Sequence, residues 1–103
     1  MKLNDKTVII TGASSGIGKS LAHEFAKRGA NLILGARQYV LLCEIAAELE
    51  KTYGIKAVAV HCDVAIEEEC ELLIKQALLT FKKIDVLVNN AGISILGALE
   101  DFR

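Results

Sequence analysis

The sequence predicts a doubly wound α/β fold, with a parallel sheet of four strands in the order 3-2-1-4 built as β-α-β-α-β-α-β. Three observations predict it. Short apolar runs such as Val8-Ile9-Ile10 and Leu32-Ile33-Leu34 are consecutive rather than alternating, as in parallel strands covered on both faces. Between the runs lie stretches of helical length whose apolar residues recur at three and four positions. The first run passes directly into a small-residue loop and then a helical pattern. Alternation of this kind makes successive βαβ units, and right-handed crossovers then favour the strand order given.

The first strand is expected over Lys6–Thr11 and the first helix from about Gly16 to Arg28, with Ile17, Leu21, Ala22, Phe25 and Ala26 as its stripe. Lys27 and Arg28 suit the negative end of the helix dipole, and Gly29 is placed as its C-cap. The second strand, Leu32-Ile33-Leu34, is closed by Gly35. A second helix runs from about Gln38 to Tyr53, ended by Gly54, and the third strand spans Lys56–His61. The third helix, from about Ile66 to Lys82, opens on Glu67-Glu68-Glu69 and closes on Lys82-Lys83, which complements its dipole at both ends. The fourth strand is Ile84–Val88, and after Asn89-Asn90-Ala91-Gly92 the residues Ile93–Arg103 read as irregular or weakly helical.

The composition narrows the function classes. With 103 residues, 52% apolar, 24% charged and a net charge of −1, the chain reads as one globular unit without an electrostatic footprint for nucleic acid. No apolar run reaches the ~18 residues needed to span a bilayer. The first six residues, Met1–Lys6, lack the apolar stretch of a signal peptide. Cys43, Cys62 and Cys70 are odd in number and have no metal-ligand spacing, so they read as free thiols of a cytoplasmic protein.

The chemistry concentrates in Gly12-Ala13-Ser14-Ser15-Gly16-Ile17-Gly18. A strand–glycine turn–helix junction aims backbone N–H groups and the positive helix end at one point, which suits a phosphate. Gly12 allows the turn, Gly16 lets a pyrophosphate approach the backbone, and Gly18 lets the helix pack closely. Ser14 and Ser15 add hydroxyl donors. Ala13 through Gly18-Lys19-Ser20 also matches a relaxed phosphate-loop pattern for a nucleoside triphosphate, but Ala13 replaces its first glycine. No acid follows the fourth strand to hold Mg²⁺, and Asp63 is the sole candidate elsewhere. After the second strand, where an NAD site carries an acid, the residues are Gly35-Ala36-Arg37. A guanidinium suits a 2′-phosphate, so NADP(H) is favoured over NAD(H). Asp63 is placed either against an adenine amine or as the cap of the third helix, or in both roles.

These residues make the chain resemble the short-chain dehydrogenase/reductase family. Thr11-Gly12-Ala13-Ser14-Ser15-Gly16-Ile17-Gly18 is similar to that family's TGxxxGIG loop, Asp63-Val64 to its adenine-contacting pair, and Asn89-Asn90-Ala91-Gly92 to its NNAG motif. The resemblance covers essentially the whole chain. It implies a Rossmann-type cofactor-binding half domain over residues 1–103. Its dinucleotide site would be drawn from Gly12, Ser14, Ser15, Gly16, Ile17, Gly18, Arg37, Asp63, Val64, Asn89, Ala91 and Gly92. The activity implied is hydride transfer between nicotinamide and a carbonyl or alcohol. The family's catalytic Asn, Ser and Tyr-x-x-x-Lys lie beyond the NNAG motif, and this sequence continues for eleven residues past Gly92. Neither Tyr39, followed four residues on by Cys43, nor Tyr53, followed by Ala57, has the spacing. The expectation is therefore a shortened chain that binds a dinucleotide, carries no catalytic residue and no metal site, and is inactive alone. The alternatives are a non-catalytic folding or assembly module, and a phosphate-loop nucleotide-binding protein. Strand 84–88 would be a flat apolar edge, so a homo-oligomer through that edge or through the tail 93–103 is also expected.

Overall fold

The computed structural model describes residues 2–89 and the backbone of residues 92–95. In chain order these form β1 (Thr7–Thr11), α1 (Gly16–Lys27), β2 (Asn31–Ala36), α2 (Tyr39–Tyr53), β3 (Ala57–His61), α3 (Glu67–Phe81), β4 (Val86–Asn89) and β5 (Gly92–Ile95). Within the described residues the sheet runs β3-β2-β1-β4-β5. The expected parallel order 3-2-1-4 is present: β1 pairs with β2 from Thr7–Asn31 to Thr11–Gly35, β2 with β3 from Leu32–Ala57 to Ala36–His61, and β1 with β4 from Val8–Val86 to Ile10–Val88.

The apolar runs are explained by what covers each face. Val8, Ile10, Leu32 and Leu34 pack with Ala22 and Ala26 of α1 and with Leu42, Ile45, Ala46 and Leu49 of α2. Ile9 and Ile33 point the other way, to Leu73 and Ala77 of α3, with Cys62 and Ile84. Successive strand residues face opposite layers, and since both layers are helical, every residue of β1 is buried. Asp85 fastens the start of β4 to β1: its carboxylate accepts from the Thr7 amide at 2.8 Å, and its own amide donates to the Thr7 carbonyl at 2.9 Å.

Two expectations are corrected. Residues 92–95 are not irregular. They pair antiparallel with β4, from Asn89–Gly92 to Val86–Ile95, so the strand expected at 84–88 is not a free edge. The hydrogen-bonding groups of β4 that would have faced water are met by the chain itself. The rest of the tail, 96–103, lies outside the described residues. Gly35 also does not close β2, which continues to Ala36. A Cβ on Gly35 would stand 3.0 Å from a Leu73 methyl and 3.2 Å from the Cys62 Cβ, so glycine there admits α3 to the sheet. The helix ends fall within a residue or so of expectation. One end is unexpected: Lys82, not glycine, holds the left-handed C-cap of α3 at φ 71°.

Candidate functional site

The segments that follow β1, β2 and β3 converge beyond the carboxyl ends of the strands. They enclose a cleft of about 620 Å³, lined from the first segment by Gly12, Ser14, Ser15, Ile17 and Gly18, from the second by Ala36, Arg37 and Gln38, and from the third by Cys62, Asp63 and Val64. Ligands of open α/β sheets bind at this end, where the strand order reverses between β1 and β4.

The first segment is shaped by close contact. Ala13 is fully buried, and its amide donates to the Gly35 carbonyl at 3.2 Å, which folds the loop back over β2. A Cβ on Gly18 would lie 2.2 Å from the Gly12 carbonyl oxygen, so the first turn of α1 and the loop backbone touch with no room for a side chain. Gly16 differs. Its φ is 58°, and a Cβ there would meet nothing within 4 Å, so that position faces open space with a backbone that glycine adopts without strain. The amino end of α1 has no side-chain cap and no acid in its first turn. Its leading N–H groups and partial positive charge are therefore left for an external acceptor.

The second segment shares that character. Gln38 is the N-cap residue of α2 and makes no side-chain cap, and no acid stands in the first turn of α2. Arg37 is exposed, and its guanidinium has no hydrogen-bond or ion-pair partner among the described residues. Two uncompensated helix amino ends and one unpaired cation thus border a single cleft, a charge pattern suited to two separate anionic groups. By contrast, the amino end of α3 carries Glu67, Glu68 and Glu69.

In the third segment the cap expected of Asp63 is corrected. The N-cap position of α3 is Ile66, without a side-chain cap. Asp63 Oδ1 instead accepts from the Ala65 amide at 3.0 Å, a local turn that leaves the residue on the cleft wall. The Asp63 amide donates to Glu69 Oε1 at 2.8 Å, and His61 Nδ1 lies 3.2 Å from the same oxygen. Cys62 is buried, and burial, together with the neighbouring Cys70 thiol, pushes its own thiol up to about 11. It stays protonated at neutral pH.

Of the residues singled out by sequence, the cleft brings together Gly12, Ser14, Ser15, Ile17, Gly18, Arg37, Asp63 and Val64. Gly16 is in the same loop but not in the lining. Asn89 lines an adjoining apolar cavity of about 350 Å³ with Thr11, Val64, Cys70, Leu73, Ile74 and Leu87, and Val64 is the wall common to both. Gly92 pairs with Asn89 across β4 and β5, and Ala91 lies outside the described residues. Lys19, the residue a triphosphate site would need, is exposed and does not line the cleft. Sequence reasoning missed Ala36, Gln38 and Cys62, although each is next in sequence to a residue it named.

Neither histidine nor either tyrosine enters the cleft. His23 Nδ1 and the Tyr53 hydroxyl are 3.2 Å apart and the rings stack edge to face at 5.9 Å, joining α1 to α2. The neighbouring Cys43 thiol, one helical turn on in α2, raises the pKa of Tyr39. Among the described residues no group of three or more His, Cys, Asp or Glu could hold a metal ion, and no helix is long and apolar enough to cross a membrane.

Known proteins agree with this arrangement. The family model of the short chain dehydrogenases matches residues 6–103. The 11-beta-hydroxysteroid dehydrogenase A of Sesamum indicum is 47% identical over 96 residues, which is 93% of this chain and 28% of that protein. The NADP-dependent 3-hydroxy acid dehydrogenase of Schizosaccharomyces pombe is 44% identical over 95 residues, 91% of this chain and 37% of that one. The structure of L-sorbose reductase from Gluconobacter frateurii, complexed with NADPH and L-sorbose, superposes with a TM-score of 0.84 at 41% identity, covering 89% of this chain and 35% of the reductase. An alcohol dehydrogenase from Thermococcus sibiricus, complexed with 5-hydroxy-NADP, superposes with a TM-score of 0.77 at 40% identity over 80% of this chain and 35% of that one. The chain thus spans about a third of the length of the relatives it matches, 28–37% in these comparisons. A matching family model over nearly its whole length, on a sheet of the same order with the glycine loop at its switch point, makes this chain a member of the short-chain dehydrogenase family.

Proposed function

We propose that the chain is the NADP(H)-binding portion of a short-chain oxidoreductase. The observation that carries this reading is the cleft itself, which holds the glycine loop, Arg37 and Asp63 around one space. In this reading the pyrophosphate takes the Gly12–Gly18 loop and the amino end of α1. The 2′-phosphate takes Arg37 and the amino end of α2, while the adenine lies along Asp63 and Val64. The open space at Gly16 and the uncapped ends of α1 and α2 fit a ligand with two separated phosphate groups. NADPH in the L-sorbose reductase structure and the NADP-dependence in the name of the fission-yeast relative support the choice of dinucleotide. The nicotinamide, when bound, supplies hydride chemistry toward a carbonyl or alcohol in the whole protein. These 103 residues hold no Tyr-x-x-x-Lys pair, and taken alone they bind without turnover.

A charge-assisted hydrogen bond to phosphate contributes about 1.5–3 kcal/mol, or roughly 10- to 150-fold in affinity. Titration of NADPH and NADH by nicotinamide fluorescence should therefore show tighter NADPH binding, with Arg37→Ala removing most of the difference. Equal loss for both cofactors would refute the 2′-phosphate role. Absence of NADPH binding at millimolar concentration would refute the whole reading. A Mg·ATP affinity abolished by Lys19→Ala would favour the phosphate-loop alternative instead.

A further inference from the structure

Glu69 stands outside the cleft, on the first turn of α3, yet it reaches back to the wall. Its Oε1 accepts from the Asp63 amide at 2.8 Å across six residues. An acid in a first turn ordinarily serves its own helix, by facing the dipole or by closing a capping box on the N-cap amide. Glu69 does something else. The N-cap residue of α3 is Ile66, and the amide that Glu69 receives belongs to the loop residue that borders the cleft. The side chain is 26% exposed, and Nδ1 of the more exposed His61 lies 3.2 Å from the same oxygen. Cys70, next in the helix, also turns back, its Sγ donating to the Val64 carbonyl at 3.6 Å. The other ties of the loop are local or lie at its start: the Cys62 amide to the Ala36 carbonyl at 3.0 Å, the Ala65 amide to Asp63 Oδ1 at 3.0 Å, and the Ile66 amide to the Asp63 carbonyl at 2.9 Å, which leaves the Asp63 amide to Glu69.

We infer that Glu69 is a positioning residue for the adenosine end of the cleft, its carboxylate fixing the Asp63 backbone so that Asp63 and Val64 present a preformed wall to the ligand. This role rests on the cofactor reading above. Without the acceptor, the Asp63 amide turns to water and the loop between β3 and α3 samples other conformations. The ligand then has to order the wall as it binds, at a cost in affinity.

The test uses 2′,5′-ADP, a probe of the adenosine half alone, titrated by calorimetry, together with hydrogen exchange at the Asp63 amide by NMR. Glu69→Ala should weaken 2′,5′-ADP about 3- to 10-fold, the worth of one net hydrogen bond, and speed exchange at Asp63. Glu69→Gln keeps a carbonyl oxygen in place and should restore both affinity, to within about 2-fold of the parent, and slow exchange at Asp63, which a role through charge alone would not do. His61→Ala should leave affinity within the same 2-fold, since the ring sits beside the clamp and does not form it. If Glu69→Ala binds as the parent does, or if Glu69→Gln fails as badly as Glu69→Ala, the role falls. Failure of the unmutated chain to bind 2′,5′-ADP would overturn the cofactor reading and this role with it. Parent binding with an indifferent Glu69→Ala overturns the role alone.

Discussion

Gly18→Ala is the sharpest test of how the loop is held. Alanine is ordinarily the better helix former by about 0.8–1.0 kcal/mol, so propensity alone predicts stabilisation. The geometry predicts the reverse. The new Cβ would lie 2.2 Å from the Gly12 oxygen, 2.8 Å from its carbon and 3.3 Å from the Ala13 Cα. Normal carbon–oxygen contact begins near ~3.3 Å, so helix and loop must separate by about 1 Å. The obstructing atoms are backbone, and Ala13 behind them is fully buried, so no side chain can rotate away. Overpacking of this kind costs about 1–3 kcal/mol, and a rigid neighbour places it at the upper end. Set against a propensity gain of at most ~1 kcal/mol in the first turn, the net loss is about 2 kcal/mol. For a domain of this size that lowers Tm by roughly 8–16 °C. Thermal unfolding followed by circular dichroism reads it directly. Gly16→Ala is the control, because its cost of about 1–2 kcal/mol is left-handed backbone strain without a clash. Asparagine at 16 should recover part of that loss, whereas asparagine at 18 should recover none. A Gly18→Ala chain as stable as its parent would refute the contact argument.

Other perturbations have equally definite outcomes. Asp85→Ala orphans the buried Thr7 amide and should cost about 1–3 kcal/mol, seen as a lower urea midpoint with unchanged slope. Lys82→Gly removes a side chain from a left-handed C-cap at φ 71° and should stabilise by about 0.5–1 kcal/mol, despite the added freedom of the unfolded chain. The Cys62 thiol, raised from an ordinary 9.0 to about 11, gives a stability contribution that is complete below pH 9.0 and lost as pH rises through about 11. Cys62→Ala should flatten that part of the alkaline unfolding curve. Iodoacetamide at pH 8 should label Cys62 after Cys43 and Cys70, which are less buried.

Most of the fold was legible because its signals are local. Val8-Ile9-Ile10 announces a two-sided strand, and the stripes of α1 and α2 follow from periodicity. Gly35 misled because glycine has two uses: it reads as a break, and here it makes room for Leu73. The strand β5 could not be read, since Ile93-Ser94-Ile95 is too short to signal a strand, and its pairing is decided by the free side of β4. At the site, the glycine spacing and Arg37 carry chemistry on their faces. Gln38 and Cys62 acquire a place there only because three loops meet. Glu69 was read as a dipole charge like Glu67 and Glu68, and only the folded chain shows its carboxylate turned back to Asp63.

The two layers beside the sheet differ in how they close along the chain. Among the described residues, the layer holding α1 and α2 draws its buried residues from positions 8–57 and from Val88. The opposite layer needs Leu73, Ala77 and Ile84. A growing chain can therefore assemble most of one side of the sheet from β1, α1, β2, α2 and β3, all neighbours in sequence, before α3 has emerged. Contacts this close in sequence cost little chain entropy to form. During synthesis, β1 and β2 would acquire lasting shelter on their α1–α2 side first, and the glycine loop would hold its shape while the wall bearing Asp63 was still being made.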